Sequence, residues 1–185
     1  MIKVPKRFTP NQSVLVVIDV QGRLAYLMHD KEVLFKHIQA LIQAADHLKI
    51  PVIFTEQVPE KIGFTVPEVA DYFKGRKSIL KETFSCFGSK EFQKKLSVLK
   101  RKQIILCGIE THVCLYQTAL DLKEAKYEVQ VVADAVSSRT KENKDAALHR
   151  MEHFGVTLTS TEMLACELLK TSAHVRFKEV LKLIR

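Results

Sequence analysis

Three side chains of this 185-residue chain could do chemistry together: Asp19, Lys81 and Cys114. Asp19 follows the apolar run VLVVI at residues 14–18. Lys81 closes SILK at 78–81, and Cys114 comes shortly after QIILC at 103–107. Each stands just beyond the carboxyl end of a predicted strand, where open parallel sheets place their ligands. Singly, each has a plainer reading: Asp19 as a turn former, Lys81 as an exposed strand end, Cys114 as an inert buried thiol. Together, a carboxylate, an ammonium and a thiol in one crevice form a nucleophile with its base. The carboxylate takes the thiol proton and the ammonium keeps that carboxylate ionised. Thr111 reads as the N-cap of a helix over residues 113–125, which puts Cys114 in its first turn. There, unpaired N–H groups and the helix dipole favour a thiolate and can hold an oxyanion.

Other chemistries lack their residues. Neither G-x-G-x-x-G nor G-x-x-x-x-G-K-[ST] occurs among the six glycines, so phosphate-cradling loops are missing, and the G-x-S-x-G elbow of serine hydrolases is absent. HRMEH at 149–153 matches H-x-x-E-H, but it falls in a helix covering the sheet with no evident downstream acidic ligand, and is expected to be a helix face rather than a metal site. Cys86, Cys107, Cys114 and Cys166 contain no C-x-x-C pair, so reduced thiols and a cytoplasmic protein are expected. Three basic and no acidic residues among the first twelve leave organelle targeting open.

The elements that must position the three residues alternate along the chain. Besides 14–18, 78–81 and 103–107, strands are predicted at 51–56, 129–133 and 156–160. Helical spacing recurs in Leu34, Ile38, Leu41, Ala45 and Leu48, with Asp30 as N-cap, and at 90–99, 113–125, 141–154, 161–169 and 175–184. Strand–helix alternation implies right-handed crossovers. The expected fold is a single three-layer α/β/α Rossmann-like domain over residues 1–185, with a central parallel sheet of about six strands. At 46% hydrophobic and 27% charged the chain is an ordinary globular one, which excludes disorder, and no apolar run reaches membrane-spanning length, so no membrane partner is expected.

The net charge of +8 is concentrated at residues 90–102, at 170–185 and in Lys3, Lys6 and Arg7. No aromatic-interleaved RNA signature or zinc-finger spacing accompanies it, so a solvated face without a specific nucleic-acid partner is expected.

DVQ at 19–21, KETFSCF at 81–87, GIETHVC at 108–114 and QTALD at 117–121 together resemble the isochorismatase-like cysteine hydrolases, over essentially the whole chain. TEQ at 55–57, TVP at 65–67 and VADAVSS at 132–138 make it most similar to the isochorismatase domain-containing branch. The resemblance implies an Asp19–Lys81–Cys114 triad and a non-proline cis peptide at Ile109–Glu110, with an oxyanion hole made by the Glu110 and Cys114 amides. It implies hydrolysis of a small amide-like substrate through a Cys thioester. In members resembling nicotinamidases an Asp and two His near the second strand bind a metal. Here that stretch reads EQVPEK from Glu56, so no metal or other cofactor is expected. Gln21, Tyr26, Gln57, Phe84, Thr111 and His112 are the candidates to line a small-molecule pocket, and a homo-oligomer is expected. The competing reading is a catalytically silent or redox-sensing regulatory protein on the same fold.

Overall fold

A computed structural model describes residues 6–184; Lys3 and Arg185 of the basic stretches lie outside the described residues. Six strands form one sheet: β1 (Ser13–Ile18), β2 (Val52–Gln57), β3 (Ile79–Lys81), β4 (Gln103–Ile109), β5 (Glu128–Ser137) and β6 (Thr157–Thr159). All neighbours pair in parallel, in the order β3-β2-β1-β4-β5-β6. The order reverses at β1, which lies between β2 and β4, and such a switch point opens a crevice beyond the carboxyl ends.

The nine α-helices among the described residues are α1 (Gly22–Tyr26), α2 (Lys31–His47), α3 (Pro59–Ile62), α4 (Pro67–Ala70), α5 (Lys90–Leu99), α6 (Tyr116–Glu124), α7 (Lys141–His153), α8 (Thr161–Leu169) and α9 (Phe177–Leu183). Alternation along β1 feeds two cores. Leu15 and Val17 pack against Leu34, Ile38 and Leu41 of α2 and Leu164 and Leu168 of α8; Val14, Val16 and Ile18 pack against Phe92 and Leu96 of α5, Ala119 and Leu122 of α6 and Met151 of α7. Three layers result, as the alternation of elements predicts.

Local differences have physical causes. Beyond the predicted strand ends, β4 continues to Ile109 and β5 to Ser137, because Gly108 pairs with Val136 and Ile109 with Ser137 past a register shift. Asp30 precedes α2 but does not cap it: its backbone is left-handed and its carboxylate lies 3.2 Å from His29 Nδ1. The short helices α1, α3 and α4 carry too few residues for a periodic signal.

Gly108 brings β4 against β1. With φ of +116°, a Cβ there would stand 2.2 Å from the Ile18 carbonyl oxygen. Only glycine permits this approach, which draws the residues following β4 up to the end of β1.

Candidate active site

Asp19 leaves β1 in a left-handed conformation (φ 49°), which a short polar side chain tolerates. This turn directs its carboxylate across to β2 and β3. Oδ1 accepts from Thr55 Oγ1 at 2.7 Å, and Oδ2 lies 2.6 Å from Lys81 Nζ. The pair is deeply enclosed, with side-chain exposures of 5% for Asp19 and 0% for Lys81. The same ammonium donates to Gln57 Oε1 at 2.8 Å and to the Thr83 and Phe84 carbonyls at 3.1 Å each. With Asp19 Oδ2, four acceptors share the three donors of this ammonium. Oδ2 faces that ammonium in a short charge-assisted contact, and the Asp19 carboxylate also meets the Cys114 thiol side chain. That carboxylate has the capacity to receive a proton.

Cys114 reaches this ion pair from β4. Its Sγ lies 3.4 Å from Gln57 Oε1, the oxygen that also receives Lys81. Gln57 is itself fixed: its N–H donates to Gln21 Oε1 at 2.7 Å, and Gln21 Nε2 donates to the Gln57 carbonyl at 3.2 Å and the Gly63 carbonyl at 2.6 Å. Thr118 ties the thiol's backbone to the 81–87 stretch, donating to the Cys114 carbonyl at 2.7 Å and accepting from Cys86 N–H at 2.9 Å.

The peptide bond Ile109–Glu110 is cis, as the family resemblance implies. The expected N-cap is corrected. Thr111 is not a cap; residues Thr111–Leu115 form a π-helical turn with Glu110 in the N-cap position, and α6 starts at Tyr116. Both Val113 and Leu115 N–H groups converge on the Glu110 carbonyl, so a single oxygen organises the wide turn that carries Cys114. The Glu110 carboxylate accepts from Arg139 Nε at 3.0 Å and Arg139 N–H at 3.3 Å. His112 Nδ1 lies 3.0 Å from Ser138 Oγ. Thr111 Oγ1 is buried without a hydrogen-bond partner among the described residues.

The expectation of a resting thiolate is also corrected. Burial foremost, then the negative charge of Asp19, push the Cys114 thiol above the ordinary range, against the pull of Lys81. Burial likewise raises Cys86 to about 11, and it raises Cys107. Cys114 is thus a neutral thiol at rest, and its activation requires a base.

The structure brings together Asp19, Lys81, Gln57 and Cys114, and sets Glu110, Thr111 and His112 beside them through one turn. Gln21 supports this group through backbone bonds. Phe84 contributes its carbonyl to Lys81, leaving its ring 52% exposed. Tyr26 faces outward: its hydroxyl donates to Glu68 at 2.9 Å and its ring packs edge-on against Phe35. Thr55, Thr118 and Arg139 were not foreseen as members of the site. Thr55 has a signal in its place two residues before Gln57 on one face of a strand; Arg139 has none.

Glu56 accepts from the Thr65 N–H and hydroxyl, each at 2.7 Å, and among the described residues no group of three or more His, Cys, Asp or Glu side chains has metal-holding geometry. His149 and His153 of the H-x-x-E-H match are exposed and meet ring edge to ring. No helix among the described residues is long and apolar enough to cross a membrane.

The isochorismatase domain matches residues 13–163. Isochorismatase domain-containing protein 2 of Rattus norvegicus is 37% identical over 184 residues, covering 97% of this chain and 84% of its own. The structure of MAR1 ribonuclease from Caenorhabditis elegans is similar at a TM-score of 0.91 and 38% identity, over 97% of this chain and 92% of that one. YcaC from Pseudomonas aeruginosa, solved with hexane-2,5-diol and covalent acrylamide, gives a TM-score of 0.90 at 26% identity, over 96% and 91%. A domain match spanning most of the sheet and relatives aligned along nearly the whole length agree with the crevice at β1 and β4, and this chain belongs to the isochorismatase-like hydrolase family.

Proposed function

We propose that the protein is a cysteine hydrolase of a small amide-like substrate, working without a metal through a Cys114 thioester. The observation that carries this reading is the enclosed Asp19 carboxylate, held by Lys81 at 2.6 Å and set against the Cys114 thiol, which also lies 3.4 Å from Gln57 Oε1. The Asp19 carboxylate takes the Sγ proton as Cys114 attacks the carbonyl carbon. The oxyanion is received by the Glu110 and Cys114 amides at the head of the π turn. Asp19 returns the proton to the departing amine, the C–N bond breaks, and water hydrolyses the thioester, again with Asp19 as base. Lys81 holds the carboxylate in place throughout. Thr111 and His112, together with Gln57 and Phe84, border the substrate.

Covalent acrylamide in Pseudomonas YcaC accords with a reactive nucleophile on this fold. Apolar rings left in water near the crevice, Phe64 at 69% and Phe84 at 52% exposed, fit a homo-oligomer that covers them. Free thiols at all four cysteines fit a cytoplasmic location.

The test is ammonia or amine release from small primary amides, carbamates and ureides after chelator treatment, with wild type and Cys114→Ala side by side. Because the Caenorhabditis relative is described as a ribonuclease, RNA joins the panel. Release by wild type and a loss of about 10⁴-fold or more in Cys114→Ala is expected. Turnover that survives Cys114→Ala, or that chelation abolishes, contradicts the proposal.

A further inference from the structure

The edge of the sheet opposite the crevice has a distinct chemistry. Eight non-glycine residues among those described have positive φ, and five are lysines: Lys49, Lys74, Lys100, Lys126 and Lys170. Each lies within two residues of a helix end, where glycine or asparagine is the usual occupant. Lys49, Lys74, Lys100 and Lys126 recur at intervals of 25, 26 and 26 residues, one for each connection into β2, β3, β4 and β5. Since every strand is parallel, right-handed crossovers deliver all four to the same edge. A cation there complements the helix dipole, but a lysine in the last turn would do so without the left-handed Cβ.

A groove of about 710 Å³ opens beside this edge, between α5 and the starts of β2 and β3. Pro51, Ile53 and Ile79 help to form its apolar floor, Lys77, Lys94 and Lys95 its rim, and Glu91 is its one carboxylate. Among the described residues no acidic side chain lies within ion-pair distance of Lys49, Lys77, Lys94, Lys95 or Lys100, whereas Asp46 is held by Lys74 and Arg76 and Glu128 by Lys6. Two nearby arginines are committed: Arg76 to Asp46 and the Phe73 carbonyl, Arg101 to the Pro10 and Ser13 carbonyls.

We infer that this groove and edge bind a single-stranded nucleic acid through its phosphates, without sequence preference. The free cations lining the groove are all lysines, point charges that neutralise phosphates in varied geometries; reading the carboxylates of an acidic protein favours arginine's planar fork, and the groove's Arg76 is held by Asp46. The site is concave, with Ile53 and Ile79 buried on its floor where a flat bilayer could not reach them, and Val98 alone among its large apolar side chains stands exposed beside the lysines. From β3 to β5 the edge spans four strand spacings, roughly 19 Å, long enough for several phosphates. Of the charged stretches in the sequence, 90–102 thus supplies Lys94, Lys95 and Lys100 to this surface, whereas 170–184 packs beside α2 and α8 on the other face of the sheet.

The test is fluorescence anisotropy with a labelled, mixed-sequence single-stranded DNA 12-mer, which lacks the 2′-hydroxyl needed for cleavage as RNA. Five phosphate contacts give a slope of log K against log salt of roughly −3.5. Lys77→Glu/Lys94→Glu/Lys95→Glu should weaken binding at least about tenfold at about 50 mM salt, and Lys49→Gln/Lys100→Gln should lower the slope by about 1.4. Cys114→Ala should bind as wild type does, which separates this inference from the hydrolase reading. Circular dichroism and thermal melting establish that the charge variants are folded. Absence of binding at low salt overturns the inference, as does affinity indifferent to the triple substitution. So does equal or stronger binding of phosphatidylserine vesicles or polyglutamate.

Discussion

The two edges of the sheet are built from the same connections yet use them oppositely. At the carboxyl edge the chain accepts unusual backbone to bring groups together: a left-handed Asp19, a cis bond at Ile109–Glu110, a π turn under Cys114, and Gly108 pressed on Ile18. Its reacting charges, Asp19 and Lys81, are buried and paired. At the amino edge the left-handed positions carry lysines whose side chains extend into water. Gly75, close to that edge with φ of +77°, has open space where its Cβ would be. The difference teaches that close approach, rather than left-handed geometry alone, marks the edge where reacting groups must meet.

Substitutions can sharpen that contrast or break it. The largest effect is expected at the ion pair. Lys81→Met leaves Asp19 charged and buried without its partner, lowering turnover by about 10²- to 10⁴-fold and stability by roughly 3–5 kcal/mol, measured by steady-state kinetics and denaturant unfolding. Next come the glycines. Gly108→Ala should destabilise by about 3–5 kcal/mol because the new Cβ meets the Ile18 carbonyl, while Gly75→Ala should cost only the left-handed conformation, about 1 kcal/mol. Equal losses at the two positions would erase the distinction. Smaller still is a difference in reactivity. At pH 7 iodoacetamide should label exposed Cys166 ahead of Cys114, Cys86 and Cys107, and labelling of Cys114 should climb only as pH rises beyond the ordinary thiol range, followed by peptide mapping. The same raised thiols make stability full below about pH 9 and make it decline above, because the unfolded chain then releases protons that the folded one retains. The smallest effect belongs to the amino edge, where Lys100→Gly relieves a left-handed Cβ and should raise stability by up to about 1 kcal/mol.

Much of the carboxyl edge was legible in the sequence because strand ends are. Apolar runs locate β1, β3 and β4, and with them Asp19, Lys81 and Cys114. Helix 90–99 and helix 161–169 matched their predicted bounds, each opened by a serine that accepts an N–H from the first turn: Ser89 from Phe92 and Ser160 from Met163. The π turn was not legible, since one wide turn has no period and Thr111 looks like a cap. The thiol's protonation was not legible either, because burial and the position of Asp19 are tertiary facts. Gln57 was named only by its proximity to a motif; its bridge between Lys81 and Cys114 depends on the register of β2 against β3. The basic edge was legible as charge and illegible as a place. Lys49, Lys77 and Lys100 are far apart in the chain, and only parallel topology puts them on one side.

The central claim is that Cys114 attacks and Asp19 accepts its proton. The most direct measurement is acid-quenched intact mass spectrometry during turnover of whichever amide, carbamate or ureide the release screen finds. The account predicts one acyl adduct on wild type, mapped to Cys114, and none on Asp19→Asn or Cys114→Ala variants that remain folded. An adduct on another residue, or an undiminished adduct in Asp19→Asn, would contradict it.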